Sequence, residues 1–311
     1  MVQHHLNSRE FGYGMEEMES IKHFAESNDL LSDPPALRKR LRDDGYLFLR
    51  DILPQDEILH LRRRIFEFCQ EAGWLREGSD LMDGLTDHAP IREGDEEWRP
   101  VYAKLQALEA FHRLKLNETV HRIMVDIFQE PVFALPATIA RLAFPRDNDN
   151  GTQPHQDWLY VEGSTETISC WAPLGDVPAE VGGLRILHAS HKAGFLTPRP
   201  ALGPGHNCVD VDPSLEWLQA EYRTGDLLLF KSLTVHAAAH NHTPDVIRPS
   251  IDFRYTGESH TVMNQWLEPH FHWLGDPFSW EVLEKDWRNS PTAGYWKRLP
   301  HLRTKSRERK K

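Results

Sequence analysis

His155-Gln156-Asp157 sets two metal-donor side chains two residues apart, and a third donor, His236, stands far downstream in the apolar run Leu233-Thr234-Val235-His236-Ala237-Ala238-Ala239. Arg248-Pro249-Ser250 follows twelve residues after His236. Two imidazoles and one carboxylate can occupy one face of an iron(II) ion and leave three positions open for a cosubstrate and dioxygen. An arginine supplies the planar fork that a distal carboxylate needs. Together these residues describe a site for Fe(II), 2-oxoglutarate and O2. A His-x-Asp alone is weak, since a chain with 18 His produces about one by chance. Order and context strengthen it: a breaker-rich loop, Arg146 to Gly151, precedes the pair and an apolar segment follows.

Spacing then says how the elements must present these groups. On an extended strand His155 and Asp157 point to one face, with Gln156 facing away. The third ligand must come from another strand, and His236 lies in the best strand candidate; the competing reading is a core histidine held by a backbone carbonyl. His240 and His242 sit beside the turn signal Thr243-Pro244-Asp245 and read as exposed loop histidines. His188 and His191 likewise fit a turn. Arg248 and Ser250 share a strand face, so a guanidinium and a hydroxyl together can bind the far carboxylate of 2-oxoglutarate. Asp252 and Arg254 continue that face and are expected to pair with each other. Trp158 and Tyr160, directly after the metal motif, are candidates for the substrate pocket, with core packing the alternative for Tyr160. Arg141 interrupts an apolar run; it either anchors a substrate or cosubstrate carboxylate or sits on a solvent face, the second being the simpler expectation.

From Leu37 to Tyr255 the chain resembles the phytanoyl-CoA dioxygenase family of 2-oxoglutarate oxygenases. Asp44 to Arg50 is similar to that family's first strand and Pro154 to Asp157 to its metal motif. Gly182 to Lys192 resembles a segment the family usually ends in Pro-Gly-Ser-His-Lys. Gly225-Asp226 before a strand, then His236, Asn241 and Arg248, complete an ordered series. The resemblance implies a metal set of His155, Asp157 and His236, cosubstrate contacts from Arg248, and Trp171 packed beside the cosubstrate, although a plain core tryptophan explains Trp171 as well. There are departures. Ala238 stands where many relatives carry a serine or threonine, and His188-Ala189 replaces Pro-Gly.

The rest of the chain bounds the class. At 311 residues one large or two average domains are expected. A formal charge of −11 argues against a nucleic-acid partner and disfavours a polyanionic substrate such as a coenzyme A thioester. No window approaches ~20 uninterrupted apolar residues, so no membrane span is expected, and the polar start lacks a secretory pattern. Cys69, Cys170 and Cys208, odd in number and without metal spacing, suggest reduced thiols and a cytoplasmic location.

The pattern along the chain is helices first, strands after. A helix is possible at Met15 to Ala25. Helix is expected at Leu37 to Asp43, strand at Gly45 to Arg50, and a long amphipathic helix from Leu53 with Ile58, Leu61, Ile65 and Cys69 on its buried face. Glu71 to Pro100 reads as a long loop over the active site, and a second helical region runs from Val101 to Phe128. Strands are expected at Val132 to Phe144, Trp158 to Val161, Ile168 to Leu174, Leu184 to His188, Glu221 to Arg223, Leu227 to Phe230, Leu233 to Ala239 and Ser250 to Tyr255. This predicts a mainly β protein with flanking helices, built on a double-stranded β-helix (jelly-roll, cupin-like) core. One domain spans 1–311: a polar extension (1–35), helical support and active-site loop (36–130), the core (131–256), a C-terminal extension (257–302) and a basic tail (303–311) expected to be solvated and disordered. Five tryptophans between Trp266 and Trp296 are expected to plaster the extension, as a helix and a loop, onto the barrel.

The expected activity is oxygenation, with hydroxylation of an unactivated C–H bond in a small metabolite or natural product and release of succinate and CO2. Desaturation and cyclisation use the same ligands. Halogenation is disfavoured, because Asp157 fills the position a chloride would need. The alternative is a jelly-roll metal protein without oxygenase activity, or a zinc hydrolase on the same triad; the Arg248-Ser250 pair separates the two, since a hydrolase has no use for a dicarboxylate anchor.

Overall fold

The computed structural model describes residues 22–147, 151–201, 205–287, 290–299 and 302–306. Eleven strands make two facing sheets. They are β1 (Lys22–His23), β2 (Tyr46–Leu49), β3 (Val132–Ala134), β4 (Ile139–Ala143), β5 (His155–Gln156), β6 (Ile168–Pro173), β7 (Leu184–Leu187), β8 (Trp217–Gln219), β9 (Leu227–Lys231), β10 (Val235–Ala238) and β11 (Arg248–Gly257). The larger sheet runs β2-β9-β6-β11-β3 with β4 also paired to β11, and the smaller runs β1-β8-β7-β10-β5. Every pairing is antiparallel except β1 with β8. This is the jelly-roll arrangement expected from the strand pattern.

Alternation along the larger sheet decides what each face does. Leu47, Leu49, Cys170, Ala172, Leu227, Leu229, Ile251 and Phe253 point outward into one apolar core. Five helices contribute to that core: α1 (Pro34–Asp44), α2 (Gln55–Glu71), α3 (Trp98–Gln106), α4 (Glu109–Arg113) and α5 (Glu118–Phe128). Asp33 caps α1 through the Ala36 amide, at 3.1 Å, and Gly45 ends it with φ +83°. Ile58, Leu61, Ile65 and Cys69 of α2 are all buried, as their spacing predicts. The opposite face of the sheet presents Tyr46, Phe48, Trp171, Leu228 and Phe230 to the smaller sheet. The interior between the sheets is therefore apolar on one side, and on β11 it is polar.

Several expectations change. Val132 to Phe144 is two strands, with the chain turning through Leu135-Pro136 because proline cannot donate to the ladder. Trp158–Val161 is one helical turn rather than a strand. Glu221 to Arg223 contributes only an isolated bridge, Tyr222 with Val177, and the strand lies earlier, at β8. The helix expected at Met15 to Ala25 is a strand at its described end, β1, and otherwise lies outside the described residues. Of the tail expected to be disordered, Arg303–Lys305 forms an exposed strand parallel to Thr261–Met263. The extension has one turn of helix, Trp280–Leu283, where Trp280, Trp287 and Trp296 pack with Leu283; Trp273 is exposed. Among the described residues no helix is long and apolar enough to cross a membrane.

Candidate active site

β5 and β10 are neighbours, and their register sets His155 directly opposite His236. The two rings lie 4.1 Å apart between centroids. Each ring is oriented by its own strand: Nδ1 of His155 lies 2.7 Å from the Gln153 carbonyl, and Nδ1 of His236 lies 3.0 Å from that of Thr234. A carbonyl only accepts, so Nδ1 carries the proton and Nε2 keeps its lone pair. Both Nε2 atoms face Oδ1 of Asp157, at 3.8 and 3.7 Å. The donor atoms of the three buried residues lie within 4.8 Å of one another. Burial, reinforced by His236, pushes His155 down to about 3, and burial also lowers His236, so both rings are neutral and free to donate near pH 7. Neutral imidazoles and a carboxylate are the donor set that suits a divalent iron site with open positions.

Asp157 reaches this place differently from the strand geometry expected. Its backbone is helical, φ −60° and ψ −28°, at the head of the turn Trp158–Val161. The chain leaves the strand there because the Trp158 amide donates to the Ser232 carbonyl, at 2.9 Å, and the Tyr160 and Val161 amides bond back to Asp157. Oδ2 of Asp157 accepts from Arg254 through Nε (3.2 Å) and Nη2 (2.9 Å), and from the Ser169 hydroxyl. Burial alone would raise this carboxyl; Arg254, the two imidazoles and Ser169 reverse that and hold it well below the usual carboxylate range. One oxygen is thus occupied by protein and the other turned to the histidines.

The polar stripe of β11 continues inward. Arg248, Ser250, Asp252 and Arg254 are all buried, and Asp252 pairs with Arg254 as the shared face predicted. Arg248 donates through Nη1 to the Gly182 carbonyl and lies 5.8 Å from the Trp171 ring centroid. Its Nε and the Ser250 hydroxyl are buried without a hydrogen-bond partner among the described residues. Burial lowers Arg248 to about 10, which still leaves it charged at neutral pH. A buried guanidinium with an unused donor fits a carboxylate ligand; Ser250, on the same strand, is fully buried and does not line the cavity. Arg248 and Trp171 line the same cavity as the triad, about 120 Å³ in volume.

On the substrate side the structure reassigns several candidates. Neither Trp158 nor Tyr160 lines the cavity; Tyr160 packs 5.9 Å from the His155 ring and donates to the Gly205 carbonyl, at 3.1 Å. Arg141 is not on a solvent face. It lines the cavity, bonded to Glu93 and 3.5 Å from Asp252. His240 also lines it, contrary to the exposed-loop reading, whereas His242 is exposed. The loop expected at Glu71 to Pro100 is narrower, lying between α2 and α3, and supplies walls through Ile91 and Glu93, with Trp98 lining the cavity from the first residue of α3. The C-terminal extension contributes no lining residue among those described and acts from behind: His270 Nε2 lies 3.8 Å from Glu93, and its Nδ1 is 2.6 Å from the Tyr102 hydroxyl. Asn241 lines the cavity too, with its amide donating to the carbonyls of Ala143 and Val246. Glu93, Ser169 and the Arg254–Asp157 pair were not foreseen. The available signal was a strand fully buried on both faces with a polar residue at every second position, which demands buried partners.

The chain is similar to the 1-deoxypentalenic acid 11-beta-hydroxylase of Streptomyces arenae, 24% identical over 265 residues, covering 76% of this chain and 86% of the hydroxylase. A probable phytanoyl-CoA dioxygenase of Caenorhabditis elegans is 23% identical, covering 71% and 74%. Among solved structures, apo ThoJ, a non-heme monooxygenase, shares the fold with a TM-score of 0.52 at 17% identity, over 72% of this chain and 78% of that one. The epimerase SnoN, in complex with Fe3+, alpha ketoglutarate and nogalamycin RO, aligns with a TM-score of 0.50 at 20% identity, over 74% and 86%. The phytanoyl-CoA dioxygenase family model matches residues 41–250, a span that takes in the triad, Trp171, Arg248 and Ser250, and the chain belongs to that family of iron- and 2-oxoglutarate-dependent oxygenases.

Proposed function

We propose that this oxygenase hydroxylates an unactivated C–H bond of a small metabolite or natural product, with iron(II) held by His155, Asp157 and His236 and 2-oxoglutarate anchored by Arg248. The observation that carries it is the convergence of two neutral Nε2 atoms and one carboxylate oxygen in the same cavity as a buried guanidinium with a free donor. When bound, the metal with 2-oxoglutarate and O2 supplies the oxidising power: one oxygen atom goes to the substrate as R–OH and the other into succinate as CO2 leaves. The protein's own share is placement. Arg248 meets the distal carboxylate, Trp171 lies beneath the guanidinium, and the fixed Oδ2 of Asp157 leaves only Oδ1 to the metal. A carboxylate locked in this way also leaves no vacancy for a halide at that position.

The hydrolase alternative does not explain Arg248, because water attack on a bound ester needs no second buried guanidinium. Small-molecule hydroxylation is favoured by a cavity that places apolar side chains such as Ile91, Leu142 and Phe144 in the same lining as the triad, and by the similarity to a 1-deoxypentalenic acid 11-beta-hydroxylase. The three cysteines are buried and unpaired, which fits the reducing cytoplasm. We read the described residues as one oxygenase domain with the extension docked behind it. Anaerobic addition of iron(II) and 2-oxoglutarate should give a weak visible charge-transfer band, and oxygen plus substrate should release succinate. A chain that binds zinc but gives no band with iron and 2-oxoglutarate would overturn the proposal.

A further inference from the structure

Charges alternate along one wall of the cavity. Asp157 pairs with Arg254, Arg254 with Asp252, Asp252 with Arg141, and Arg141 with Glu93. Each of the five lines the cavity. Arg248 is the sixth charge, and no carboxylate pairs with it among the described residues. Three guanidiniums thus stand against three carboxylates. Bound iron(II) and the 2-oxoglutarate dianion would add nothing to that balance, and Arg248 would take the dianion's far carboxylate. One more carboxylate, Asp147, sits half-buried at the cavity's edge and tips the balance toward negative.

Arg141 looks at first like an anchor for an acidic substrate. Its charge is already matched: Nη1 donates to Glu93, and Nε lies 3.5 Å from Asp252. Glu93 is not a loose surface group: it is half-buried, with 19% side-chain exposure, and faces His270 of the C-terminal extension, which is itself held by Tyr102. An incoming carboxylate would stand against Glu93 and Asp252 in a half-buried site, where juxtaposed like charges are costly. Beside the pair the surface is apolar, formed by Ile91, Trp98, Leu142 and Phe144.

We infer that the part of the substrate lying against this wall carries no negative charge, and that Glu93 sets this preference by closing Arg141 to anions. The inference rests on the proposed oxygenase reading and sharpens it: the portion of the acceptor against this wall is a hydrocarbon frame with neutral hydroxyl, carbonyl or amide groups, and any carboxylate the acceptor carries lies elsewhere. Glu93 is here a specificity-determining residue, not a catalytic one.

The test uses three probes of one shape, cyclohexanecarboxylate, cyclohexanecarboxamide and cyclohexylmethylammonium. Each is titrated calorimetrically under argon into the full chain loaded with iron(II) and 2-oxoglutarate. The wild type should bind the amide at least about tenfold more tightly than the carboxylate. Glu93→Gln should invert that order while the visible charge-transfer band persists, since the variant frees Arg141 without touching the triad or Arg248. The double variant Glu93→Gln/Arg141→Gln, which removes both charges together, should restore the preference for the amide and covers the case in which a lone Arg141 unfolds the chain. Tighter carboxylate binding by the wild type, an unchanged order in Glu93→Gln, or no amide binding at millimolar concentration each overturns the inference. Loss of the band in the wild type would instead overturn the oxygenase reading beneath it.

Discussion

Nε and Nη2 of Arg254 both point at a single oxygen of Asp157, and the Ser169 hydroxyl points at the same oxygen. Such partners orient a ligand and fix which lone pair meets the metal; losing one typically costs about 10–100-fold in metal affinity. Arg254→Gln should therefore weaken anaerobic iron(II) or cobalt(II) binding by that factor in a calorimetric titration, with the fold intact by circular dichroism. Unchanged metal affinity would make Arg254 a partner of Asp252 alone. Arg248 acts at the other end. Its removal should raise the apparent KM for 2-oxoglutarate at least about tenfold, which needs only ~1.4 kcal/mol, and Arg248→Lys should fall between, because an ammonium lacks the fork. Metal binding should survive in both. If both variants bind 2-oxoglutarate as wild type does, Arg248 is structural. At this scale the sequence was informative about which residues matter and about the Asp252–Arg254 pair, and silent about partners far along the chain. Arg254 could be placed on the face of Arg248 by counting in twos, but Asp157 lies 97 positions away, and no local rule joins them.

Elements were legible where a local signal sufficed, as in α2 with its one buried face, and lost where the tertiary context decided. Asn117 divides a region that the sequence reads as one helical stretch from Val101 to Phe128: its side chain accepts from the amides of Thr119 and Val120, at 2.9 and 3.2 Å, and so begins α5. Asn117→Ala should destabilise the protein by about 1 kcal/mol in chemical denaturation and leave succinate release at saturating substrate unchanged; a stability loss below a few tenths would mean that water replaces the cap. Trp158–Val161 shows the second case. Trp-Leu-Tyr-Val suits a strand by side-chain type, yet a hydrogen bond from Trp158 to Ser232 turns it into a helix. The metal residues converge all the same, because the turn swings Asp157 back toward His155. Arg141 was misplaced for a related reason. An arginine in an apolar run reads as solvent-facing unless a buried acid is known to wait for it, and Glu93 comes from a loop with no periodic pattern.

Across the whole molecule the class of fold followed from helices preceding strands, while the docking of the extension did not. Its tryptophans meet the helical layer through His112, whose ring lies 5.4 Å from Trp280 and 5.0 Å from Trp287 and whose Nε2 is 2.8 Å from the Gln106 carbonyl. Burial, with Lys115 adding to it, holds His112 well below its ordinary value. The unfolded chain takes up that proton near pH 6.5 and the folded chain does not. Stability from this residue is therefore complete above about pH 6.5 and is lost as pH falls, by up to ~1.4 kcal/mol per unit. His112→Phe should flatten the fall in unfolding free energy between pH 6.5 and 5 by that amount; parallel curves for variant and wild type would show that the histidine is protonated in the folded state.

The strand order has a consequence for the newborn chain. β2 pairs with β9, and β11 closes the larger sheet against β6, β3 and β4. A ribosome adding about 5–20 residues per second delivers β9 roughly ten to forty seconds after β2. Through that interval α1 and α2 have no sheet to cover, and Leu47, Leu49, Ile58, Leu61 and Ile65 face water or whatever shields them. Contacts this distant in sequence also form slowly once the chain is free. The interval is the time at which this chain is most open to aggregation, and the last strand of the two facing sheets to arrive carries both Arg248 and Arg254. A chaperone that binds exposed apolar segments should therefore be found on nascent chains that end before Arg248, and should leave once Gly257 has cleared the exit tunnel.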